Sequence, residues 1–209
     1  MNPPVVNIVD DDASFLTATA RLLRASGFTV RTFLSASDFL GQREDEMAGC
    51  VVADLRMPGM DGLGLQAALA CSSNPLPVLF LSGNGDIPSS VRAMRGGAED
   101  FLEKLASKEK LLDAVKRAIA RNASERETRS RKSELRALFA TLSSREIEVL
   151  GHVVHGRLNK QIAGDLGIHE RTVKLHRTGI TTKLGVPSVA ELTHLTHEAG
   201  IYDTFPKGQ

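Results

Sequence analysis

The sequence predicts two domains of different class: an α/β domain with a doubly wound parallel sheet, then an all-α domain. In the first 120 residues, short apolar and β-branched runs alternate five times with amphipathic segments. After residue 140 only helical patterns remain. Charge divides the chain similarly, since residues 1–120 carry 12 Lys/Arg against 15 Asp/Glu and residues 121–209 carry 14 against 10. The basic half suits a polyanionic partner.

Five strand–helix units are predicted in the first domain. Each strand is a short apolar run, and each is followed by apolar residues at helical spacing. The predicted strands are Val5–Val9, Phe28–Thr32, Cys50–Ala53, Pro77–Leu81 and Glu99–Leu102, and the helices begin near Ala13, Ala36, Asp61, Pro88 and Ser107. This (βα)5 alternation favours a flavodoxin-like sheet of strand order 2-1-3-4-5, in which the first and third strands are neighbours.

Polar side chains stand where these strands end. Asp10 and Asp11 follow the first strand, Asp54 follows the third, and Ser82 and Lys104 follow the fourth and fifth. Clustered carboxylates repel one another unless a cation offsets their charge, and Mg²⁺ prefers carboxylate and phosphate oxygens. The pattern therefore predicts a magnesium and phosphoryl site in which Asp54 is the nucleophile and Lys104 and Ser82 donate to phosphoryl oxygens.

A simpler interpretation is that the acids form only a helix cap and its first turn, and that Lys104 is a solvated lysine. This interpretation fits Asp12, but it does not account for functional groups at so many correctly ordered strand ends. A magnesium-dependent phosphohydrolase also attacks through an aspartate. It would carry a second carboxylate two residues later, where this chain has Arg56, so no enzymatic turnover is expected.

Four motifs together resemble the receiver domain of bacterial response regulators over about residues 4–120. They are Val9-Asp-Asp-Asp12, Asp54-Leu-Arg-Met-Pro-Gly59, Ser82-Gly-Asn-Gly85 and Gly97-Ala-Glu-Asp-Phe-Leu-Glu-Lys104. The resemblance implies that a sensor histidine kinase phosphorylates Asp54 and that Ser82 and Phe101 change position when it does. It also implies the ligands of Mg²⁺, namely Asp10, Asp11, Asp54 and the backbone carbonyl of Arg56.

The chain departs from the receiver pattern at Leu105, where the family usually has proline after its lysine. A cis bond before a residue other than proline costs about 2.5 to 4 kcal/mol, so the Lys104–Leu105 peptide is predicted to be trans. The following loop should then differ from the family's, which leaves the direction of Lys104 open. Leu105 therefore leaves open an alternative, in which the receiver no longer switches and DNA binding is constitutive.

Residues 121–140 are predicted to connect the domains 1–120 and 141–205. The apolar stripe of the fifth helix lapses there, and Arg, Glu and Ser predominate. Charge pairs at i, i+4 contribute only about 0.2 to 0.5 kcal/mol each. A helical continuation of the fifth helix and a flexible charged linker both fit this composition.

The second domain begins with a capping box, Ser143 to Glu146, and reads as four helices. Asn159 to Leu166, the turn at Gly167 and Glu170 to Leu184 have the spacing of a helix-turn-helix. The third helix leaves a basic face off the core, which could enter the major groove of DNA. Gly179 interrupts that helix at an expected cost of about 1 kcal/mol.

Three motifs in this half resemble the DNA-binding domain of the LuxR/NarL class: Leu142-Ser-Ser-Arg-Glu-Ile-Glu-Val-Leu150, Asn159-Lys-Gln-Ile-Ala163 and Thr172-Val-Lys-Leu-His176. The resemblance implies contacts to base edges from Lys174, Leu175 and Thr178. It implies contacts to phosphates from Lys160, Thr172, His176 and Arg177, and Arg171 lies on the same basic face.

Together the two resemblances identify the chain as a member of the FixJ branch, similar to the regulators of styrene and toluene catabolism. They imply a two-component transcription regulator that forms a homodimer when Asp54 is phosphorylated and binds a pseudo-palindromic site in double-stranded DNA. RNA polymerase is an expected further partner. The sequence has no signal peptide and no stretch of about 18 apolar residues, so a cytoplasmic protein without a membrane partner is expected.

Overall fold

The computed structural model describes residues 3–44, 47–83 and 87–205. The chain divides into two compact units, Met1–Arg126 and Glu127–Gln209. The strands of the first unit are β1 (Val5–Val9), β2 (Thr29–Phe33), β3 (Gly49–Asp54), β4 (Val78–Ser82) and β5 (Asp100–Glu103). Its helices are α1 (Ala13–Ala25), α2 (Ala36–Gly41), α3 (Gly62–Ala70), α4 (Ile87–Arg95) and the first part of α5 (Lys108–Phe139).

The five strands form one parallel sheet of order β2-β1-β3-β4-β5. The predicted fold class and strand order are therefore confirmed. Strand β1 lies between β2 and β3, and Val9 is in register with Ala53 of β3. Asp10 and Asp54 each follow a member of that pair, so the register alone brings the two aspartates to neighbouring positions at the carboxyl edge of the sheet.

Both faces of the sheet are covered, which explains why its strands are apolar without alternation. Val51 and Ala53 of β3 pack into a core with helices α2, α3 and α4. Cys50 and Val52 of the same strand pack into a second core with α1 and the first part of α5. The sheet is thus held from both sides.

Strand β3 begins at Gly49, one residue earlier than predicted, and its first residue has little room. Gly49 has φ of +133°, and a Cβ on it would lie 1.9 Å from the Val5 carbonyl oxygen. Its N–H donates to Oδ1 of the buried Asn122 on α5, at 3.0 Å. Glycine is required here because a side chain would collide with the neighbouring strand.

The second unit contains helices α6 (Ser144–Val154), α7 (Asn159–Leu166), α8 (Glu170–Leu184) and α9 (Val189–Ala199), with a short 3₁₀ turn at Tyr202–Thr204 that the sequence did not predict. The end of α5 belongs to this unit, since Leu135 and Phe139 are buried in its core. Arg136 Nε donates to the Ala199 carbonyl at the end of α9, at 3.0 Å. The later part of the predicted linker therefore packs with the C-terminal helices.

The structure accounts for Gly179. A Cβ at this position of α8 would lie 2.8 Å from Oε1 of Glu146 on α6. Oε2 of Glu146 accepts from the Ser143 N–H and from Lys183 Nζ, each at 2.7 Å, and these bonds lower the pKa of the carboxyl to about 2, with Lys183 the larger cause. Gly179 thus lets α8 approach a fixed carboxylate.

None of the helices in the described ranges is both long and apolar enough to cross a membrane.

We expect Gly49→Ala to lower the free energy of unfolding by about 3 kcal/mol, because the new Cβ adds strain at positive φ to a collision with Val5. Urea titration followed by circular dichroism would measure the change. Gly41→Ala is the matched control, since a Cβ at Gly41 meets no atom within 4 Å and its φ is not positive. Equal midpoints for the two variants would contradict the close approach at Gly49.

Candidate functional site

The carboxyl edge of the sheet gathers three acidic side chains. One carboxylate oxygen from each of Asp10, Asp11 and Asp54 lies within 4.8 Å of the others. The Asp10 side chain is 1% exposed and that of Asp54 is 12% exposed, whereas Asp11 is exposed. The predicted convergence of these three residues is thus found in the structure, and β1 and β3 produce it.

The Lys104 ammonium bridges two of the carboxylates. Its Nζ lies 2.6 Å from Asp10 Oδ2 and 3.2 Å from Asp54 Oδ2. The ring centroid of Phe15, on the first turn of α1, lies 4.4 Å from the same nitrogen. A cation at this distance from an aromatic face is attracted to it, so Lys104 is held by two carboxylates and one ring.

Although Leu105 departs from the receiver pattern, the Lys104 side chain still reaches Asp10 and Asp54. The Lys104–Leu105 peptide is trans, as predicted, like the other peptide bonds in the part of the chain described here. The Lys104 N–H donates to the Ser82 carbonyl at 2.9 Å, which extends the β4–β5 pairing to this residue. The difference is at Leu105 itself, whose side chain is 95% exposed beside the site.

The charge of the cluster is unbalanced, because three carboxylates share one ammonium. Burial raises the pKa of Asp10, and repulsion from Asp54 adds to it, in spite of the opposing bonds from Lys104 and the Asp12 N–H. Burial acts to lower the pKa of Lys104, but its bonds to Asp10 and Asp54 together outweigh burial and hold that pKa above its usual value. The pKa of Asp10 is thus raised mainly by burial, whereas that of Lys104 is raised by its two carboxylate partners.

Backbone N–H groups fix the orientation of two carboxylates. Asp54 Oδ1 accepts from the Leu55 N–H at 2.7 Å, and Asp10 Oδ1 accepts from the Asp12 N–H at 2.9 Å. The second oxygen of each carboxylate therefore faces Lys104. Asp12 instead caps α1 by accepting from the N–H groups of Ser14 and Phe15, the structural role that its sequence position predicted.

The remaining residues predicted for this site surround the cluster. Ser82 ends β4 and is buried, and Arg56 is exposed in the loop after Asp54. Phe101 on β5 is half-buried with its ring centroid 6.1 Å from that of Phe80. Residues 84–86, which complete the motif after Ser82, lie outside the described residues.

A divalent cation suits this cluster. Oδ2 of Asp10 is buried and, apart from its ion pair with Lys104, has no well-directed hydrogen bond. Hard oxygen ligands that carry excess negative charge are what Mg²⁺ takes in proteins. Asp10, Asp11 and Asp54 are the side chains that could hold such an ion.

The second candidate site is the outer face of α8. Val173, Ile180 and Leu184 are buried as predicted, which fixes the rotation of the helix. The exposed residues of the predicted interface are Arg171, Lys174, Leu175 and Thr178, together with Lys160 on α7. Thr172, His176 and Arg177 are half-buried beside this face. Leu175 is 66% exposed on the same face.

The turn between α7 and α8 has the features of a helix-turn-helix. Gly167 ends α7 in the left-handed conformation, with φ of +63°. Arg145 on α6 donates to the Leu166 carbonyl at 2.7 Å, which satisfies an orphan acceptor at the same helix end. His169 precedes α8 and provides no side-chain cap.

Two contacts at these sites were not predicted. No spacing rule places the Phe15 ring against Lys104. Asn159 begins α7, and its Oδ1 accepts from an Arg177 guanidinium nitrogen at 2.8 Å. A pair 18 residues apart across a turn has no local sequence signal, so only the packing of α7 against α8 reveals it.

Two family models match the chain. The model described as the response regulator receiver domain matches residues 6–116. The model described as bacterial regulatory proteins of the luxR family matches residues 140–196. The first model therefore covers the acidic cluster, and the second covers α7 and α8.

Curated relatives are similar over nearly the full length. Response regulator protein TmoT of Ectopseudomonas mendocina is 43% identical over 92% of this chain and 87% of the relative. Transcriptional regulatory protein FixJ of Azorhizobium caulinodans is 38% identical over 94% of this chain and 93% of the relative. Among solved structures, the response regulator StyR is 46% identical, with a TM-score of 0.81 over 94% of this chain and 100% of that one.

We expect Asp10→Asn to raise the free energy of unfolding at pH 7 without divalent cations. The folded-state pKa of Asp10 is raised, so its ionised form costs stability above that pKa, and the cost disappears as pH falls below the usual value of 3.8. The stability gained by Asp10→Asn should therefore shrink as the pH falls from the raised folded-state pKa to the usual value of 3.8. Urea titrations at several pH values would measure this.

The same variant should bind Mg²⁺ at least about tenfold more weakly, since it loses a ligand charge. Isothermal titration with MgCl₂ would test this, and unchanged affinity would contradict the cation site.

Proposed function

We propose that this chain, which belongs to the response regulators that join a receiver domain to a LuxR-type DNA-binding domain, is switched by phosphorylation of Asp54. The observation that carries the proposal is the contact of Lys104 Nζ with both Asp10 and Asp54 at the carboxyl edge of the sheet. A lysine in this position can pair with a carboxylate before phosphorylation and with a phosphoryl group afterwards. The residue limits 1–120 and 141–205 remain our proposal for the two domains.

Asp54 is suited to the role of phosphoacceptor. The Leu55 N–H fixes its Oδ1, and its side chain retains some exposure in spite of the surrounding core. One carboxylate oxygen would attack the phosphorus of a phosphohistidine on a sensor kinase, the P–N bond would break, and the histidine would leave with the electron pair. The product is an acyl phosphate on Asp54.

Mg²⁺ held by Asp10, Asp11, Asp54 and the Arg56 carbonyl would offset the charge of the incoming phosphoryl group. Asp10 has a buried oxygen available for this role, and Asp11 adds an exposed one. Lys104 would contribute an ammonium to a phosphoryl oxygen. Its attachment to the ladder through Ser82 keeps its backbone fixed while the side chain changes partner.

Ser82 and Phe101 are the proposed switch residues. A phosphoryl group brings about two negative charges and three acceptor oxygens to this edge of the sheet. The Ser82 hydroxyl stands at the end of β4, next to that charge, and Phe101 on the adjacent strand is only half-buried. A turn of the hydroxyl toward the phosphoryl group would leave space for the Phe101 ring to move inward.

Dimerisation is proposed through α4, β5 and the start of α5. Ile87, Val91 and Met94 are exposed apolar residues at helical spacing on α4. Charged groups accompany them on the neighbouring elements, where Arg117 NH2 lies 2.5 Å from Asp100 Oδ2. An apolar stripe bordered by ion pairs is a typical interface composition. Such a surface would bind a second copy of itself with two-fold symmetry.

The dimer would place two α8 helices on one pseudo-palindromic site. Linking the two DNA-binding domains raises the effective concentration of the second once the first is bound. Lys174, Leu175 and Thr178 would reach base edges, and Lys160, Thr172, His176 and Arg177 would contact phosphates. A duplex-DNA target implies a cytoplasmic protein, and RNA polymerase is the proposed further partner.

The position of Lys104 supports a switched receiver over a constitutive one. The constitutive alternative required the Leu105 loop to direct Lys104 away from Asp54. Lys104 Nζ instead lies 3.2 Å from Asp54 Oδ2. A phosphohydrolase is disfavoured because Arg56 stands where the second catalytic carboxylate would be required.

We expect Mg²⁺ with beryllofluoride, a phosphoryl analogue, to convert the wild-type chain from monomer to dimer and to leave Asp54→Asn unchanged. The analogue needs the Asp54 carboxylate as its ligand. Light scattering coupled to size exclusion would measure the masses. Asp12→Asn is the matched control, because it removes a neighbouring charge but keeps a good helix cap, and it should dimerise like wild type. An analogue-dependent shift in Asp54→Asn would refute the phosphoacceptor assignment.

Lys174→Ala should weaken binding to a selected operator duplex by about 1 to 3 kcal/mol and relax its sequence preference. Fluorescence anisotropy on operator and scrambled duplexes would measure both. Arg21→Ala removes one positive charge from an exposed position on α1, outside the proposed dimer surface, and serves as the control. Equal losses in the two variants would mean that Lys174 acts only through net charge.

A further inference from the structure

Arg177 is held in place by one neighbour that is not an acid. Its NH1 donates to Asn159 Oδ1 at 2.8 Å, and both residues are half-buried. Within the described ranges, no carboxylate lies at ion-pair distance from Arg177. Arg136 and Arg145 of the same unit instead have carbonyl or carboxylate partners. Arg177 alone among these is oriented by a side-chain amide.

Because its acceptor is an amide and not a carboxylate, Arg177 is oriented without being neutralised. A guanidinium carries five N–H donors, and the amide satisfies one of them without neutralising the charge. A carboxylate in the same position would form an ion pair and cancel the attraction to phosphate. Arg177 therefore keeps its full positive charge and its remaining donors, while its side chain is already partly ordered.

The bond also crosses the turn of the helix-turn-helix. Asn159 is the first residue of α7, and Arg177 lies in the middle of α8. Ordering a flexible arginine before it meets DNA reduces the entropy lost on binding. The same bond fixes where the guanidinium stands relative to Lys160, the neighbouring residue of α7.

We propose that Asn159 is a positioning residue for DNA binding, which holds Arg177 ready to contact a backbone phosphate. The inference rests on the proposed DNA-binding function. It adds Asn159 as a residue that contributes to DNA binding by orienting Arg177. A purely structural bond between α7 and α8 would instead affect folding and contribute to binding independently of Arg177.

The test uses the full chain with Mg²⁺ and beryllofluoride and a fluorescein-labelled 30-base-pair duplex of random sequence, with anisotropy measured from 50 to 200 mM KCl. Arg177→Ala should weaken binding and reduce the slope of log affinity against log salt by about two, since each subunit of the dimer loses one phosphate contact. Asn159→Ala should weaken binding about threefold to tenfold with an unchanged slope, because the charge remains. In the double variant, Asn159→Ala should add nothing to the effect of Arg177→Ala.

Two controls separate positioning from structure. Combined with Lys174→Ala, which shares no contact with Asn159, the effect of Asn159→Ala should add in full. Asn159→Asp keeps the acceptor but adds a negative charge, so it should fold like wild type and reduce both affinity and salt slope. Thermal melts of each variant confirm folding, and Asn159→Asp serves as the test if Asn159→Ala melts early.

Each outcome decides something different. Full additivity of Asn159→Ala with Arg177→Ala, or wild-type affinity in Asn159→Ala, would overturn the positioning role and leave the DNA-binding proposal intact. An unchanged affinity and salt slope in Arg177→Ala would overturn it as well, because there would be no phosphate contact to position. Failure of the wild-type chain to bind the duplex at 50 mM KCl with Mg²⁺ and beryllofluoride would overturn the proposed function itself.

Discussion

The first unit depends on a charge imbalance that its own strand register creates. Because β1 pairs with β3 in register, Asp10 and Asp54 emerge side by side, and Asp11 adds a third carboxylate. One ammonium, that of Lys104, offsets them. Burial and repulsion raise the pKa of Asp10, so the site costs stability as long as nothing else neutralises it. A site with this excess of negative charge favours a cation, at the expense of the resting fold.

The rest of the fold holds that imbalance in place. Two cores cover both faces of the sheet, so the strand ends cannot move apart to relieve the repulsion. The Leu55 and Asp12 N–H groups each fix one carboxylate, and the Ser82 carbonyl fixes the backbone of Lys104. The groups that the proposed switch would move are the Lys104 side chain, the Ser82 hydroxyl and the half-buried Phe101.

Much of this was available from the sequence, because its signals are local or periodic. Apolar runs gave the strands, the order 2-1-3-4-5 followed from their alternation with helices, and Asp10, Asp11, Asp54 and Lys104 were placed at strand ends that do converge. What the sequence could not give depends on packing between distant segments. The ring of Phe15 against Lys104, the Glu146 carboxylate against Gly179 and the Asn159–Arg177 bond have no periodic signal. The end of α5 was likewise ambiguous, since Leu135 and Phe139 are isolated apolar residues in a charged stretch until the second core is seen.

Several features that depart from ordinary folding rules lie on the two proposed functional surfaces. Asp10 is a buried acid with a poorly satisfied oxygen, Leu105 and Leu175 are leucines in solvent, and α8 begins at His169 without a side-chain cap. Each of these choices costs the isolated chain stability or solubility. Well-formed local structure is also present, with serine caps at Ser143 and Ser188 and a glycine where β3 meets Val5. At the sheet edge and on the outer face of α8, we expect the missing interactions to come from partners. A cation and a phosphoryl group would complete the first surface, and a polyanion would complete the second.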